Sequence, residues 1–367
     1  QRAREKLYNV ANLLLAGYFG AGNLGDDAIL LGFIHGLGNT SHNVTVMSGS
    51  PEETNRNYGL RSFDRRDLNA YKTAIESHDV LVFPGGSIFQ DASSVKSVAY
   101  YGQLVKIAKS KGKKVVFLGQ GVGPLTTFLG KRWAASAFGM ADAICVRDPD
   151  SMSTLKALGV NRPIRVTADN AFLLPQPAES DVQGFNVGGM KAVGISVRPH
   201  GKKDEIKNLF GELARLLFQA QIMPVFIEMD RMHDGPLISE ISKAQGGKIP
   251  DMRKVATPMQ LQQRMGRLES VIAMRLHAGI LAATMGVPPF MVSYDPKVTA
   301  FAKLLGIQAA PNVTGLSAQR LFESFMAFMK DREKNEAIMR RKQEEMRQLA
   351  QQNIEILEGL VPGSARI

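Results

Sequence analysis

Residues 270–297 read Ser270-Val-Ile-Ala-Met-Arg-Leu-His-Ala-Gly-Ile-Leu-Ala-Ala-Thr-Met-Gly-Val-Pro-Pro-Phe-Met-Val-Ser-Tyr-Asp-Pro-Lys297. Val271 to Met274 is a short apolar run that suits a buried parallel strand. Ala278 to Met285 is a compact helix stopped by Gly286 and Pro288, and Phe290 to Tyr294 is the next strand. This order puts Arg275 and His277 where the carboxyl end of a strand meets the amino terminus of a helix. Open α/β sheets bind ligands there, and the free N–H groups and helix dipole favour an anion. Lys297 follows the next strand and reaches toward the same crevice. The alternative is that Arg275 pairs with a structural carboxylate and His277 only caps the helix. Recurrence of a cation one strand later favours a site.

Working outward, the same grammar repeats. Ala192 to Val197 is a strand ending in Arg198-Pro199-His200-Gly201, Ile206 to Gln219 has helical spacing, and Met223 to Ile227 ends in Glu228-Met229-Asp230. Asp230 joins His200 as a second-tier site candidate. In the first half, Leu13 to Ala16, Asp79 to Phe83, Lys114 to Leu118 and Ala143 to Val146 are apolar strands. They end in Gly17–Asp27, Pro84-Gly85-Gly86-Ser87, Gly119–Pro124 and Arg147-Asp148. Glycines and polar groups thus fall at one edge of a doubly wound sheet. Residues 171–191, with two prolines and no clear period, read as a linker. The expected division is a Rossmann-like domain over 1–178, a linker over 179–191 and a second such domain over 192–316. A helical segment over 317–367 is expected to pack back on the first.

Gly20, Gly22 and Gly25 spell G-x-G-x-x-G between a strand and a helix. A dinucleotide site also wants an acidic residue at the end of the second strand, which here ends in Ser48-Gly49-Ser50. Asp26 and Asp27 at the helix start would repel a pyrophosphate, so a nicotinamide cofactor is not expected. Asn23, Asp26 and Asp27 can instead hydrogen-bond sugar hydroxyls, or cap the helix.

The 367 residues exceed one simple core, and 44% hydrophobic with 22% charged residues is ordinary for a globular enzyme. A formal charge of +11 with pI near 9.7 implies anionic partners. Nucleic acid is the weakest of these, because no zinc spacing, RNP-like motif or Arg-rich arm occurs and aromatics are 7%. Cys145 is the single cysteine, in an apolar run, which fits a core position and a reducing compartment. No stretch approaches the roughly 18 apolar residues of a membrane-spanning helix. No H-E-x-x-H or D-x-D pair points to a metal, and no P-loop occurs.

One ordered set of motifs is more specific than any single glycine loop. Gly20-Ala-Gly-Asn-Leu-Gly-Asp-Asp27, Pro84-Gly-Gly-Ser-Ile-Phe-Gln-Asp91 and Gly119-Gln-Gly-Val-Gly-Pro124 come first. Val146-Arg-Asp148, Ser196-Val-Arg-Pro199 and Met274-Arg-Leu-His-Ala-Gly279 follow. Over residues 12–300 this set resembles the polysaccharide pyruvyl transferase family, closest to the CsaB-like branch acting on bacterial secondary cell wall polymers. The resemblance implies a GT-B-like fold of two Rossmann-like domains facing a cleft, with a long C-terminal helix. It also implies transfer of pyruvate from phosphoenolpyruvate to a sugar as a ketal. In that branch the sugar is N-acetylmannosamine of a lipid-linked precursor, ketalised at its 4- and 6-hydroxyls, and the product anchors S-layer proteins.

The residues agree with that chemistry. Phosphoenolpyruvate needs several fixed cations and a helix amino terminus, which Arg275, Lys297, Arg198 and His200 can supply. His277 is the expected general acid/base, since imidazole titrates near neutrality. The acceptor side is expected at Asn23, Asp26, Asp27, Gly85, Gly86, Ser87, Gln120 and Arg147. No cofactor and no metal are expected. The partners are phosphoenolpyruvate and a lipid-linked sugar, at a cytoplasmic location peripheral to the inner membrane face. Two rivals are a GT-B glycosyltransferase using a nucleotide sugar and a non-catalytic envelope carbohydrate-binding protein. The first wants a ribose-clamping glutamate after the site helix, and residues 278–290 contain none.

Overall fold

The computed structural model describes residues 10–361 apart from 39, 41, 93, 185–187, 203 and 248. Contacts divide the chain into two compact units. One takes the chain up to Ala21, Ile29–Leu173 and the chain from Met346 on. The other takes Gly22–Ala28 and Leu174–Glu345.

The first unit is built on an eight-stranded sheet. Its strands are β1 (Asn12–Leu15), β2 (Asn43–Ser48), β3 (Arg61–Asp64), β4 (Val80–Phe83), β5 (Gly86–Phe89), β6 (Lys114–Val122), β7 (Ala143–Val146) and β8 (Ile164–Val166). All pairs are parallel, in the order β3-β2-β1-β4-β6-β7-β8 with β5 beside β6. Both faces are covered, so the central strands are continuous apolar runs: Leu13, Leu14 and Leu15 are fully buried, as are Val80 to Phe83. Phe83 stacks on Phe117 with ring centroids 4.7 Å apart, in a core closed by Phe89 and Phe138.

β4 and β5 are one strand broken at a kink. Gly85 (φ 131°) and Gly86 (φ 91°) take backbone angles closed to other residues, and they shift the chain so that Gly86 and Phe89 pair with Gln120 and Val122. The apolar start of the stretch read as a linker is buried: Ala171, Phe172 and Leu173 lie in a short 3-10 turn. Asn353, fully buried, closes the unit from the far end of the sequence. Its amide donates to the Ala168 carbonyl (3.0 Å) and to Asn170 Oδ1 (2.9 Å), and accepts from Thr167 Oγ1 (2.7 Å).

The second unit has a five-stranded parallel sheet: β9 (Lys191–Ser196), β10 (Ile222–Ile227), β11 (Asp251–Met252), β12 (Ser270–Ala273) and β13 (Pro289–Met291). The order is β11-β10-β9-β12-β13. Helices begin on side-chain caps: Thr257 accepts from Gln260 N–H, Asp295 from Lys297 N–H and Ser317 from Arg320 N–H. The segment read as helical from 317 is two helices, Ala318–Lys330 and the long Arg332–Glu358. Among the described residues no helix is long and apolar enough to cross a membrane.

Candidate active site

In an open parallel sheet the ligand crevice lies outside the strand carboxyl ends where the strand order reverses. In the second unit that point falls between β9 and β12, because the chain runs from β9 outward to β10 and β11 and then returns to β12. β9 delivers Arg198 there. β12 delivers Arg275 and the helix Leu276–Thr284, with His277 in its first turn. β13 delivers Tyr294.

Arg198 Nη1 donates to the Tyr294 hydroxyl at 2.8 Å, and its guanidinium carbon lies 4.9 Å from the Tyr294 ring centroid. The His200 ring sits 5.4 Å from that same ring. Among the described residues Arg198 has no carboxylate partner. Burial raises the Tyr294 phenol above its ordinary value, against the pull of Arg198 and Arg275, so the hydroxyl stays protonated.

Arg275 has a different environment. Its Nε donates to both oxygens of Asp234, at 3.2 and 3.1 Å, and its Nη2 lies 3.4 Å from Asp230 Oδ2. Asp234 is fully buried and also accepts from the backbone N–H of Asp230 (3.0 Å) and Met229 (3.3 Å). Burial pushes the Asp234 carboxyl up, although the guanidinium against it opposes the shift. For Arg275 burial works against the charge, but Asp234 and Asp230 outweigh it and hold the guanidinium firmly protonated. The sequence alone leads one to expect Arg275 to be an open cation for a substrate anion. The structure gives it a structural carboxylate, the alternative weighed for this position, and only Nη1 makes no hydrogen bond to the described residues.

The glycine loop after β1 also lies where the sequence did not put it. Asn23, Asp26 and Asp27 were expected on the first domain, yet Gly22–Ala28 groups with the second unit. Asn23 forms an antiparallel bridge with Asp230. Leu24 N–H donates to the Met229 carbonyl (2.8 Å) and Arg231 N–H to the Gly22 carbonyl (3.0 Å). The helix Leu24–Leu37 begins within this loop rather than at Ala28, with Asp26 and buried Asp27 in its first turn. Gly25 faces the imidazole: a Cβ there would stand 2.7 Å from His277 Nδ1 and 2.8 Å from its Cγ. Glycine is required because the ring occupies the space a side chain would take. Lys297 stands at the start of the helix Pro296–Leu305, with Nζ 3.7 Å from Asp295 Oδ2.

At the matching edge of the first unit, Gly86, Ser87, Gln120 and Arg147 come together. Arg147 Nη1 donates to Asp169 Oδ2 at 3.0 Å and Nη2 to Ser87 Oγ at 2.8 Å. Gln120, fully buried in β6, donates to the carbonyls of Gly86 and Gly121. Asp234, Tyr294 and Asp169 were missed from the sequence. Tyr294 carried a signal, its place after β13. Asp169 carried the same one, its place after β8, whereas Asp234 carried none, since a partner arginine 41 residues away leaves no local mark. Among the described residues no cluster of three or more His, Cys, Asp or Glu side chains could hold a metal ion.

No curated protein matches the chain in sequence. Among solved structures it is similar to S. aureus MnaA with UDP, at 11% identity and TM-score 0.65, covering 95% of this chain and 96% of that one. It is similar to a Methanocaldococcus jannaschii UDP-GlcNAc 2-epimerase with UDP-GlcNAc and UDP, at 12% identity and TM-score 0.61, covering 95% and 99%. An E. coli ADP-heptose heptosyltransferase II matches at 12% identity and TM-score 0.50, covering 88% and 99%. These likenesses fix the fold as the GT-B type, with two Rossmann-like units. A sequence model of the polysaccharide pyruvyl transferases matches residues 23–296, well over half of the chain and spanning from Asn23 to the helix that carries Lys297. The chain belongs to the polysaccharide pyruvyl transferase family.

Proposed function

We propose that this protein transfers pyruvate from phosphoenolpyruvate to two hydroxyls of a sugar, releasing phosphate. The proposed acceptor is N-acetylmannosamine of a lipid-linked secondary cell wall polymer precursor. Its 4- and 6-hydroxyls become the ketal, and the product serves to anchor S-layer proteins. The reaction runs in the cytoplasm at the inner membrane face. The observation that carries the reading is the placement of Arg198 and Arg275 after the adjacent strands β9 and β12 at the switch point, with Tyr294 hydrogen-bonded to Arg198 and His277 in the first turn of the helix after β12.

In this reading Arg198, the open Nη1 of Arg275, Lys297 and His200 hold the phosphate and carboxylate of the donor, aided by the amino end of the helix Leu276–Thr284. His277 moves the proton. The enol carbon of the donor takes a proton and becomes a methyl group, while one sugar oxygen bonds to the neighbouring carbon. The carbon–oxygen bond to phosphate then breaks, and the second sugar oxygen closes the ketal. Of the two hydroxyl protons, one ends on the methyl group and the other on phosphate. An imidazole that accepts from a hydroxyl and donates to the enol carbon fits both proton movements. Asn23, Asp26 and Asp27 in the second unit are one proposed set of acceptor contacts, and Gly85, Gly86, Ser87, Gln120 and Arg147 in the first unit are another.

The test is incubation with phosphoenolpyruvate and a panel of lipid-linked and nucleotide-linked N-acetylhexosamines, reading phosphate release and product mass. Phosphate release matched by a product one pyruvyl ketal heavier is expected. No phosphate with any acceptor would remove this reading, and turnover of a nucleotide sugar without phosphoenolpyruvate would replace it with the glycosyltransferase.

A further inference from the structure

Among the described residues, Phe128 and Leu129 are the one pair adjacent in sequence among the exposed large apolar side chains, at 75% and 48% exposure. Of the others, Tyr18 lies under Arg65, and Phe218 and Met232 have no exposed large apolar neighbour in sequence among the described residues, as scattered surface apolars normally do not. The pair heads the helix Phe128–Gly139, which follows β6 at the carboxyl edge of the first sheet.

The turn presenting the pair is held rigid. Asp91 accepts from the backbone N–H of Thr126 and Thr127 (both 2.8 Å), from Thr126 Oγ1 at 3.0 Å and from Thr127 Oγ1 at 2.6 Å. Thr127 in turn caps Gly130 N–H at 3.0 Å. Those bonds outweigh the cost of burial and hold the Asp91 carboxyl well below the ordinary range, at about 2. The last residue of the Pro84–Asp91 motif therefore serves to fix this tip.

The exposed charge on the helices that carry and flank the pair is basic, the Asp91 carboxylate at the turn being buried and bonded to the turn itself. From Pro124 to Met140 the chain has Lys131 and Arg132, both exposed, and no Asp or Glu. The neighbouring helix Val95–Ser110 starts at the same sheet edge and brings exposed Lys96, again without a carboxylate along its length. The nearest acidic residue in sequence, Asp142, bonds Lys109 at 2.8 Å. An apolar pair on a fixed tip, ringed by cations, matches a bilayer whose headgroups are anionic and whose acyl layer begins just beneath them.

We propose that Phe128 and Leu129 insert into the headgroup layer of an anionic lipid bilayer, with Lys131, Arg132 and Lys96 on the lipid phosphates. This surface does not depend on the pyruvyl chemistry, and its test uses neither donor nor acceptor. It turns the carboxyl edge of the first sheet toward the membrane.

The experiment is co-sedimentation of the full chain with vesicles of phosphatidylcholine alone and with vesicles of equal parts phosphatidylcholine and phosphatidylglycerol. Binding to the mixed vesicles only, weakening as salt rises, is expected. The double variant F128S/L129S should lose about tenfold or more in affinity, from the apolar surface no longer buried. K131Q/R132Q should lose a similar factor at low salt, about fivefold for each charge removed, with little difference from wild type at high salt. All four side chains are exposed, so thermal melts should match wild type. Phe128→Trp adds a reporter whose emission should shift to the blue on the mixed vesicles. Wild type that binds neither vesicle, or F128S/L129S that binds as wild type does, would overturn the proposal. So would a face that governs self-association instead, read as a smaller species for F128S/L129S on gel filtration with vesicle binding unchanged.

Discussion

Arg147 in the first unit and Arg198 in the second each follow a parallel strand at its carboxyl end, and by sequence they are equivalent. Arg147 is enclosed, with its side chain 7% exposed against Asp169 at 3%, and Ser87 takes a second donor. Arg198 meets an aromatic ring and its hydroxyl, and no carboxylate among the described residues. Arg275 stands between these cases, bonded through Nε and Nη2 but open at Nη1. Position at the sheet edge gives an arginine access to a ligand. The carboxylates around it decide whether its charge is spent on the fold.

The largest effects should come from breaking the enclosed pairs. Asp234→Ala strands the Arg275 guanidinium at a side-chain exposure of 11%. Loss of one partner from such a pair typically costs about 3–5 kcal/mol. Urea denaturation should show that loss, and a cost as small for Asp234→Ala as for Arg198→Ala would dissolve the distinction drawn above.

His277→Ala should lower turnover by about 10²–10⁴-fold with little loss of stability, as removal of a general acid/base does. Gly25→Ala should act in the same direction through the displaced ring, and steady-state kinetics on phosphoenolpyruvate with thermal melts would check both. Full turnover in Gly25→Ala would mean that the imidazole moves aside freely.

Arg198→Ala should raise the donor KM by about 10–100-fold, the worth of charge-assisted hydrogen bonds, and leave unfolding unchanged. Arg275→Ala should move both quantities. Identical profiles for the two variants would place them in one class.

The smallest effect concerns a carboxylate held without any guanidinium. Against the cost of burial, the hydrogen bonds from Thr126 and Thr127 hold the Asp91 carboxyl at about 2 in the folded chain, below the ordinary carboxylate range, so the folded state favours its charged form. Its contribution to stability is complete above the unfolded value and is lost as pH falls through the folded one. Asp91→Asn should therefore be less stable than wild type near neutrality, and the gap should close in acid-unfolding curves as pH approaches 2.

Both sheets could be read from the residues, because strands buried on two faces are unbroken apolar runs such as Leu13–Leu15 and Val271–Ala273; the order of the strands, and with it the switch point between β9 and β12, could not. β3 could not, since Arg61-Ser-Phe-Asp64 has no fully buried residue. β5 was hidden by Gly85 and Gly86, which read as a turn and act as a sideways step. At the candidate site, the places of Arg198, Arg275, His277 and Lys297 after strands could be read. What occupies Arg275 was not legible, because Asp234 comes from the helix after β10 and meets it only when the sheet forms. The allegiance of Gly22–Ala28 was equally hidden, being decided by backbone pairing with Met229 and Arg231.

The buried amide of Asn353 has a practical corollary. A truncated gene encoding only residues 1–173 would lack the group that satisfies Thr167, Ala168 and Asn170, so the first unit should not be expressible as a contiguous fragment. A peptide spanning the last helix, supplied in trans, should rescue it, and a nascent chain can complete this half only after Asn353 leaves the ribosome.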